Sequence, residues 1–125
     1  MKIQELDQDK NKEETIHSFL KFAMNRLKLD PDFTVSFSYD TDNARRKHHT
    51  GVYNFKDNHI EVYAAHRNTI DILRTLAHEL VHAKQDSLGQ LHHHDAPGSP
   101  HEQDADRVAG YLIKIFVRKH HDIID

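Results

Sequence analysis

The chain of 125 residues contains no cysteine. Disulfide bridges and thiolate metal ligands are therefore both excluded. The sequence also lacks an N-terminal apolar run of the signal-peptide type, and no apolar stretch is long enough to span a bilayer. We therefore expect a cytoplasmic protein that does not interact with membranes.

An excess of basic charge is also absent, because 17 lysines and arginines stand against 20 aspartates and glutamates, for a net charge of -3. This balance argues against a nucleic-acid partner bound through a basic surface. The length fits one compact domain, and no internal repeat is visible. We expect a single domain over residues 1–125, with about the first ten residues polar and flexible.

The most informative segment is TLAHELVHAKQ at residues 75–85, which contains an HExxH motif from His78 to His82. Two histidines four positions apart on a helix lie about 40° apart around its axis and about one turn apart along it. Both imidazoles can therefore reach one metal ion. Glu79 can hold a water beside that ion and act as a general base. This pattern is typical of a zinc hydrolase.

The residues around the motif predict a helix that places it far from either end. Asn68 or Thr69 can cap the start of this helix, and Gly89 can end it. Apolar residues recur at helical spacing at Ile70, Leu73, Leu76, Ala77, Leu80 and Val81. The alternative is a surface helix with two exposed histidines, and these apolar flanks disfavour it.

A catalytic zinc usually takes three protein ligands. A third histidine six residues after the second is excluded, because that position holds Leu88. The segment SPHEQDADRVAG at residues 99–110 instead offers Glu102, with Asp106 one turn later. Two alternatives remain open. Glu102 can serve only a capping box with Ser99, and Asp106 can be a plain surface residue. Asp104 is expected to face solvent.

The pair of segments HELVHAKQ and PHEQDADRVAG resembles the gluzincin branch of the zincin metallopeptidases, over roughly residues 59–117. It also resembles short stand-alone zincin-like proteins of bacteria and phages. The resemblance implies that His78, His82 and Glu102 bind Zn²⁺ and that Glu79 is the general base. Asp106 then matches the aspartate that braces a ligand histidine. The implied substrate is a peptide or protein.

The order of patterns predicts an α+β fold. Expected in turn are an amphipathic helix near 12–29, a strand at 33–39, a hairpin at 52–55 and 59–64, the motif helix and a last helix at 100–119. This order matches a minimal zincin-like fold, a small mostly antiparallel sheet packed on the HExxH helix, with an N-terminal and a C-terminal helix. By resemblance, the strand at 59–64 is the sheet edge that lines the cleft, to which a peptide can add a strand. A fully paired strand is the alternative.

Three functions fit these patterns. The first is a zinc-dependent peptidase, the second is a zinc-binding module with little or no hydrolysis, and the third is a zinc hydrolase of non-peptide substrates. A peptidase needs a donor for the oxyanion, for which the candidates are Tyr53, Tyr63, His66 and the histidines at 92–94. Those last histidines lie in a predicted loop, and they can equally form a lid, a weak metal site or a solvated segment.

Overall fold

The computed structural model describes residues 2–4, 10–30, 32–38, 50–54, 56–65, 67–88 and 100–120. The elements in these residues are β1 (Lys2–Gln4), α1 (Lys10–Leu27), β2 (Thr34–Ser38), β3 (Gly51–Asn54), β4 (His59–Tyr63), α2 (Thr69–Ser87) and α3 (Pro100–His120). The predicted α+β class is confirmed. None of these helices is both long enough and apolar enough to cross a membrane.

The four strands form one mixed sheet in the order β1-β2-β4-β3. Strands β3 and β4 form the predicted antiparallel hairpin, and Asn58 in its turn has a positive φ of 48°. The other two pairings, β1 with β2 and β2 with β4, are parallel. The prediction of a mostly antiparallel sheet is therefore wrong. Parallel neighbours need a crossover connection, and α1 supplies one between β1 and β2.

The position of β4 also differs from the expectation. Strand β4 is paired on both sides, so among the described strands the edge beside it is β3. The prediction that residues 59–64 form the sheet edge is wrong, and the alternative of a fully paired strand is correct. Residues Lys2–Gln4 form β1, paired with β2, although the sequence predicts a flexible start.

The core lies on one face of the sheet, where α2 is packed between the hairpin and α3. The amphipathic pattern of α1 is confirmed, because Ile16, Phe19, Leu20 and Ala23 are all fully buried. Phe19 meets Phe116 of α3 edge-on, with ring centroids 5.1 Å apart. Each such large apolar side chain contributes about 1.5–3 kcal/mol through its burial. This packing holds α3 against α1, and α3 also packs on α2, where the site described below lies.

The start of α2 is fixed by local hydrogen bonds. The Asn68 side chain caps the helix as predicted, accepting a 2.9 Å bond from the Asp71 N–H. Arg67 donates to the Tyr63 carbonyl at the end of β4 and to Thr75 Oγ1 in the second turn of α2. The motif helix is therefore joined to the sheet at its first turns. The predicted stop at Gly89 lies outside the described residues.

Candidate metal centre

The two histidines of the motif converge on one point beside α2. Their separation of four residues places both rings on one face, and the Nε2 atoms of His78 and His82 lie 3.0 Å apart. The ligand atoms of His78, Glu79 and His82 all lie within 4.8 Å of one another, so this group can hold a metal ion. The spacing of four residues thus brings the two imidazole rings together, as the sequence predicts.

The carboxylate of Glu102 reaches the same point from α3. One of its oxygens, Oε1, lies 2.9 Å from His82 Nε2, and the other, Oε2, lies 3.1 Å from His78 Nε2. Glu102 is the first-turn acidic residue of a helix that begins at Pro100. The predicted capping partner, Ser99, lies outside the described residues. The contacts of the Glu102 carboxylate include both imidazoles of the motif.

The donor atoms fit a zinc ion in chemistry and in spacing. Zinc takes imidazole nitrogen and carboxylate oxygen at about 2.0–2.2 Å in tetrahedral sites, which separates ligand atoms by about 3.3–3.6 Å. The separations of 2.9–3.1 Å between the Nε2 and carboxylate atoms are only slightly shorter. Two carboxylates, Glu79 and Glu102, are near the histidines. Glu79 belongs to the group that can hold an ion, whereas Glu102 is the carboxylate that contacts both Nε2 atoms directly.

Glu79 occupies a different position from Glu102. It is buried, with 7% of its surface exposed, and it lines a cavity next to His78. Burial raises the pKa of Glu79 to about 7, the charge of His82 opposes this rise, and the Glu102 carboxylate adds to it. A bound cation would favour the charged carboxylate and lower this pKa. A buried carboxylate next to this cluster is in a position to act as a general base.

The Asp106 side chain lies on the outer side of His78. Its Oδ1 is 2.8 Å from His78 Nδ1, and 75% of the side chain is exposed. A carboxylate can only accept, so Nδ1 donates to Asp106, and a metal ion would bind at Nε2. The structure thus places Asp106 next to His78, one of the two histidines of the motif.

The partner of His82 is a residue that the sequence reasoning did not assign. Gln85 Oε1 lies 2.8 Å from His82 Nδ1, and the Gln85 side chain also donates to Asp104 Oδ2 at 3.3 Å. Asp104 in turn contacts Arg107. The Asp104 side chain is 39% exposed, so it faces solvent in part, as expected, while it also accepts from Gln85. The signal was available for Gln85, because residues three apart on a helix are neighbours.

A cavity of about 650 Å³ opens beside the three clustered residues. It is bounded by the first half of α2, the start of β3 and the middle of α3. The residues that line it are Thr50, Gly51, Arg67, Asp71, Arg74, Thr75, His78, Glu79, Asp106, Ala109 and Gly110. A cavity of this size falls within the range of ligand sites.

The tyrosines proposed as oxyanion donors lie elsewhere. Tyr53 donates a 2.7 Å bond to Asp86 Oδ2 and lines a separate cavity of about 400 Å³. Burial, followed by the bond to Asp86, raises the pKa of Tyr53 far above its usual value. Tyr63 is buried with 2% exposure and is absent from the wall of the larger cavity. His66 and the histidines at 92–94 lie outside the described residues.

The edge strand approaches α2 closely at Gly51. A Cβ atom placed on Gly51 would lie 2.5 Å from Thr75 Cγ2, 3.2 Å from the Glu61 carbonyl oxygen and 3.4 Å from Glu79 Cγ. The first distance is shorter than any ordinary carbon contact. Glycine therefore allows β3 to lie against the helix beside the general-base candidate. At Gly110, by contrast, an added Cβ meets nothing within 4 Å.

We expect Gly51→Ala to lower the free energy of unfolding by about 1–3 kcal/mol, the usual cost of overpacking. The physical reason is that Thr75 or β3 must move to make room. Urea unfolding followed by circular dichroism measures the effect. Gly110→Ala is the matched control, and it should stabilise α3 by about 0.4–1 kcal/mol. A Gly51→Ala protein as stable as the parent would show that β3 and α2 are not in contact there.

Comparison of the chain with protein-family models, with curated proteins and with solved structures finds no match. The class of site is therefore defined by its geometry, which is an HExxH-type cluster of His78, Glu79 and His82 that can hold a metal ion.

Proposed function

We propose that the protein is a zinc-dependent peptidase of the gluzincin type. The observation that carries this proposal is the convergence of two imidazole nitrogens and the Glu102 carboxylate within 3.1 Å of one another. Glu79 lies next to this cluster and lines the adjacent cavity. His78, His82 and Glu102 are the proposed ligands. Two imidazole nitrogens and one carboxylate oxygen form a ligand set that catalytic Zn²⁺ sites use.

In the proposed reaction, the zinc ion and the side chains of the protein have different roles. Zinc, when bound, supplies Lewis-acid activation of a water molecule and of the scissile carbonyl. Glu79 accepts a proton from the attacking water on its carboxylate and later delivers it to the leaving amine nitrogen. Asp106 holds the His78 ring with Nε2 toward the ion. Burial of Glu79 favours this role, since it excludes competing water from its carboxylate.

The edge strand suggests how an extended substrate binds. The Tyr63 N–H donates to the Thr50 carbonyl, and bonded pairs alternate along an antiparallel ladder. The backbone groups of Gly51 and Tyr53 therefore face away from β4, on the side where β3 has no described neighbour. We propose that a peptide substrate pairs with these groups, so that its chain crosses the cavity beside Glu79. This proposal places the substrate on β3 instead of β4.

We expect the purified protein to hold about one tightly bound zinc per chain, as a three-ligand site requires. His78→Ala and His82→Ala should each lose this metal, because two protein ligands hold zinc far more weakly than three. Elemental analysis after mild chelation measures the stoichiometry. His17→Ala is the control, since His17 lies on α1 near Glu13 and away from the cluster. Full zinc occupancy in both site variants would contradict the assignment of His78 and His82 as zinc ligands.

A cleavage assay tests the proposed activity itself. Unfolded proteins digested to peptides are incubated with the zinc-loaded protein, and new termini are identified by mass spectrometry. Cleavage that disappears on chelation and returns with zinc supports a peptidase. Zinc binding without any new terminus would contradict the peptidase proposal and leave the metal site intact.

The second candidate is a zinc-binding module that acts as a sensor, a regulator or a structural part without hydrolysis. One observation favours it, because Tyr53 and Tyr63, the described candidates for the oxyanion donor, lie outside the cavity wall. A buried glutamate beside the ligands disfavours it, since a structural site has no need for a general base. The cleavage assay separates the two functions.

A further inference from the structure

The His82 imidazole is held from behind by a neutral amide, in contrast to His78, which is held by a carboxylate. Gln85 Oε1 lies 2.8 Å from His82 Nδ1, and both residues are buried. An amide oxygen only accepts hydrogen bonds. When a metal ion is bound, the hydrogen of the neutral imidazole therefore lies on Nδ1, and the lone pair of Nε2 faces the ion. This is the tautomer that a metal ligand requires.

A second contact determines which end of the Gln85 amide faces His82. An amide rotated by half a turn would present its NH₂ group to Nδ1 and favour the wrong tautomer. Asp104 Oδ2 lies 3.3 Å from Gln85 Nε2, and a carboxylate can only accept from that group. Asp104 therefore keeps the amide oxygen on the side of His82. Its other oxygen, Oδ1, is paired with Arg107.

The same contacts connect the two helices that carry the ligands. Gln85 follows His82 by three residues on α2, and Asp104 follows Glu102 by two residues on α3. The bond between Gln85 and Asp104 therefore joins a histidine ligand to the segment that supplies the carboxylate ligand. A change at either residue should alter the ring orientation and the approach of Glu102 together.

We propose that Gln85 is a positioning residue for the metal centre, which keeps His82 Nε2 directed at the ion, and that Asp104 fixes the orientation of Gln85. The proposal rests on the proposed zinc-binding function. Gln85 is 3% exposed whereas the Asp106 side chain is 75% exposed. Hydrogen bonds shielded from water are electrostatically stronger. Gln85 should therefore matter more to metal affinity than Asp106 does.

The first test is the zinc affinity of Gln85→Leu, measured by competition with a chromogenic chelator. Leucine has a similar volume and suits a buried position, but it cannot accept from His82. Affinity should fall about 10- to 100-fold, the usual loss when a partner of a ligand histidine is removed. Asp106→Asn should lose less. Gln103→Leu, the same change at an exposed position next to Glu102, should bind zinc like the parent.

The second test reverses the polarity of the pair. In Gln85→Glu/Asp104→Asn, a carboxylate faces His82 Nδ1 and the amide that replaces the Asp104 carboxylate can donate to it. This double variant should recover most of the affinity lost in Gln85→Leu, whereas Asp104→Ala alone should weaken zinc binding. A purely structural role would instead lower the thermal stability of the metal-free protein and leave zinc affinity unchanged.

The outcomes are separable. Parent-like zinc affinity in folded Gln85→Leu, or in Asp104→Ala, would overturn the positioning role while leaving the proposed zinc site intact. A parent protein that binds no zinc would overturn both. If Gln85→Leu does not fold, Asp104→Ala and the double variant decide the question, because Asp104 is partly exposed and its replacement leaves the core unchanged.

Discussion

Glu79→Gln is expected to keep the fold and the bound zinc while losing peptide hydrolysis by about 10²- to 10⁴-fold, the usual contribution of a general base. Glutamine is nearly isosteric with glutamate but cannot accept the proton of the attacking water. Its amide fits the buried position beside His82, and the three proposed ligands are unchanged. The measurement is the rate of cleavage of a confirmed substrate, together with zinc content by elemental analysis.

The matched control for this variant is Glu14→Gln, which makes the same change at an exposed position of α1. It should cleave at the rate of the parent. Two results would contradict the assignment of Glu79. Cleavage by Glu79→Gln at the parent rate would show that another group takes the proton. Loss of zinc in Glu79→Gln would show that Glu79 is itself a ligand.

Glu102→Gln is expected to weaken zinc binding by more than the roughly 10- to 100-fold that follows loss of a residue behind a ligand. The reason is that both carboxylate oxygens face the histidine Nε2 atoms, at 2.9 and 3.1 Å. Glutamine keeps the shape of the side chain and can still serve a capping box, but it lacks the charge that a zinc ligand supplies. Competition with a chelator measures the affinity.

Unfolding of the metal-free protein separates the ligand role of Glu102 from a capping role. Loss of a cap costs about 1 kcal/mol, so a residue that acts only as a cap should lower stability in Glu102→Ala and leave zinc affinity unchanged. The ligand role predicts the reverse for Glu102→Gln, with a large loss of affinity and little change in the stability of the metal-free protein. In the capping case, Glu79, whose carboxylate belongs to the same cluster as the two histidines, becomes the next candidate for the third ligand.

Several elements were predicted well because their signals are local. The convergence of His78 and His82 follows from helical geometry alone. The capping of α2 by Asn68 follows from the preference for asparagine at the first position of a helix. The hairpin of β3 and β4 follows from two short alternating runs separated by a turn. The contact of Gln85 with His82 is equally local, at a spacing of three residues, and the sequence contained the information needed to predict it.

The errors concern the sheet. The sequence contains no local signal for the parallel pairing of β2 with β4 or for the internal position of β4. Both depend on contacts between strands and helices that are far apart in the sequence. The strand at Lys2–Gln4 was missed for the same reason. A short polar segment forms a strand only when the backbone of a neighbouring strand, here β2, is available for hydrogen bonding.

The sequence by itself determined the identity of the metal-binding motif, since the helical repeat dictates which side chains share a face. Only the tertiary structure decided which acidic residues lie next to the two histidines. Glu102 and Asp106 meet the histidines across at least 20 residues of chain, a contact that depends on the packing of α3 against α2. That packing also turns Asp104 toward Gln85. Helical periodicity acts within one element, whereas the relative position of two helices is set by the core between them.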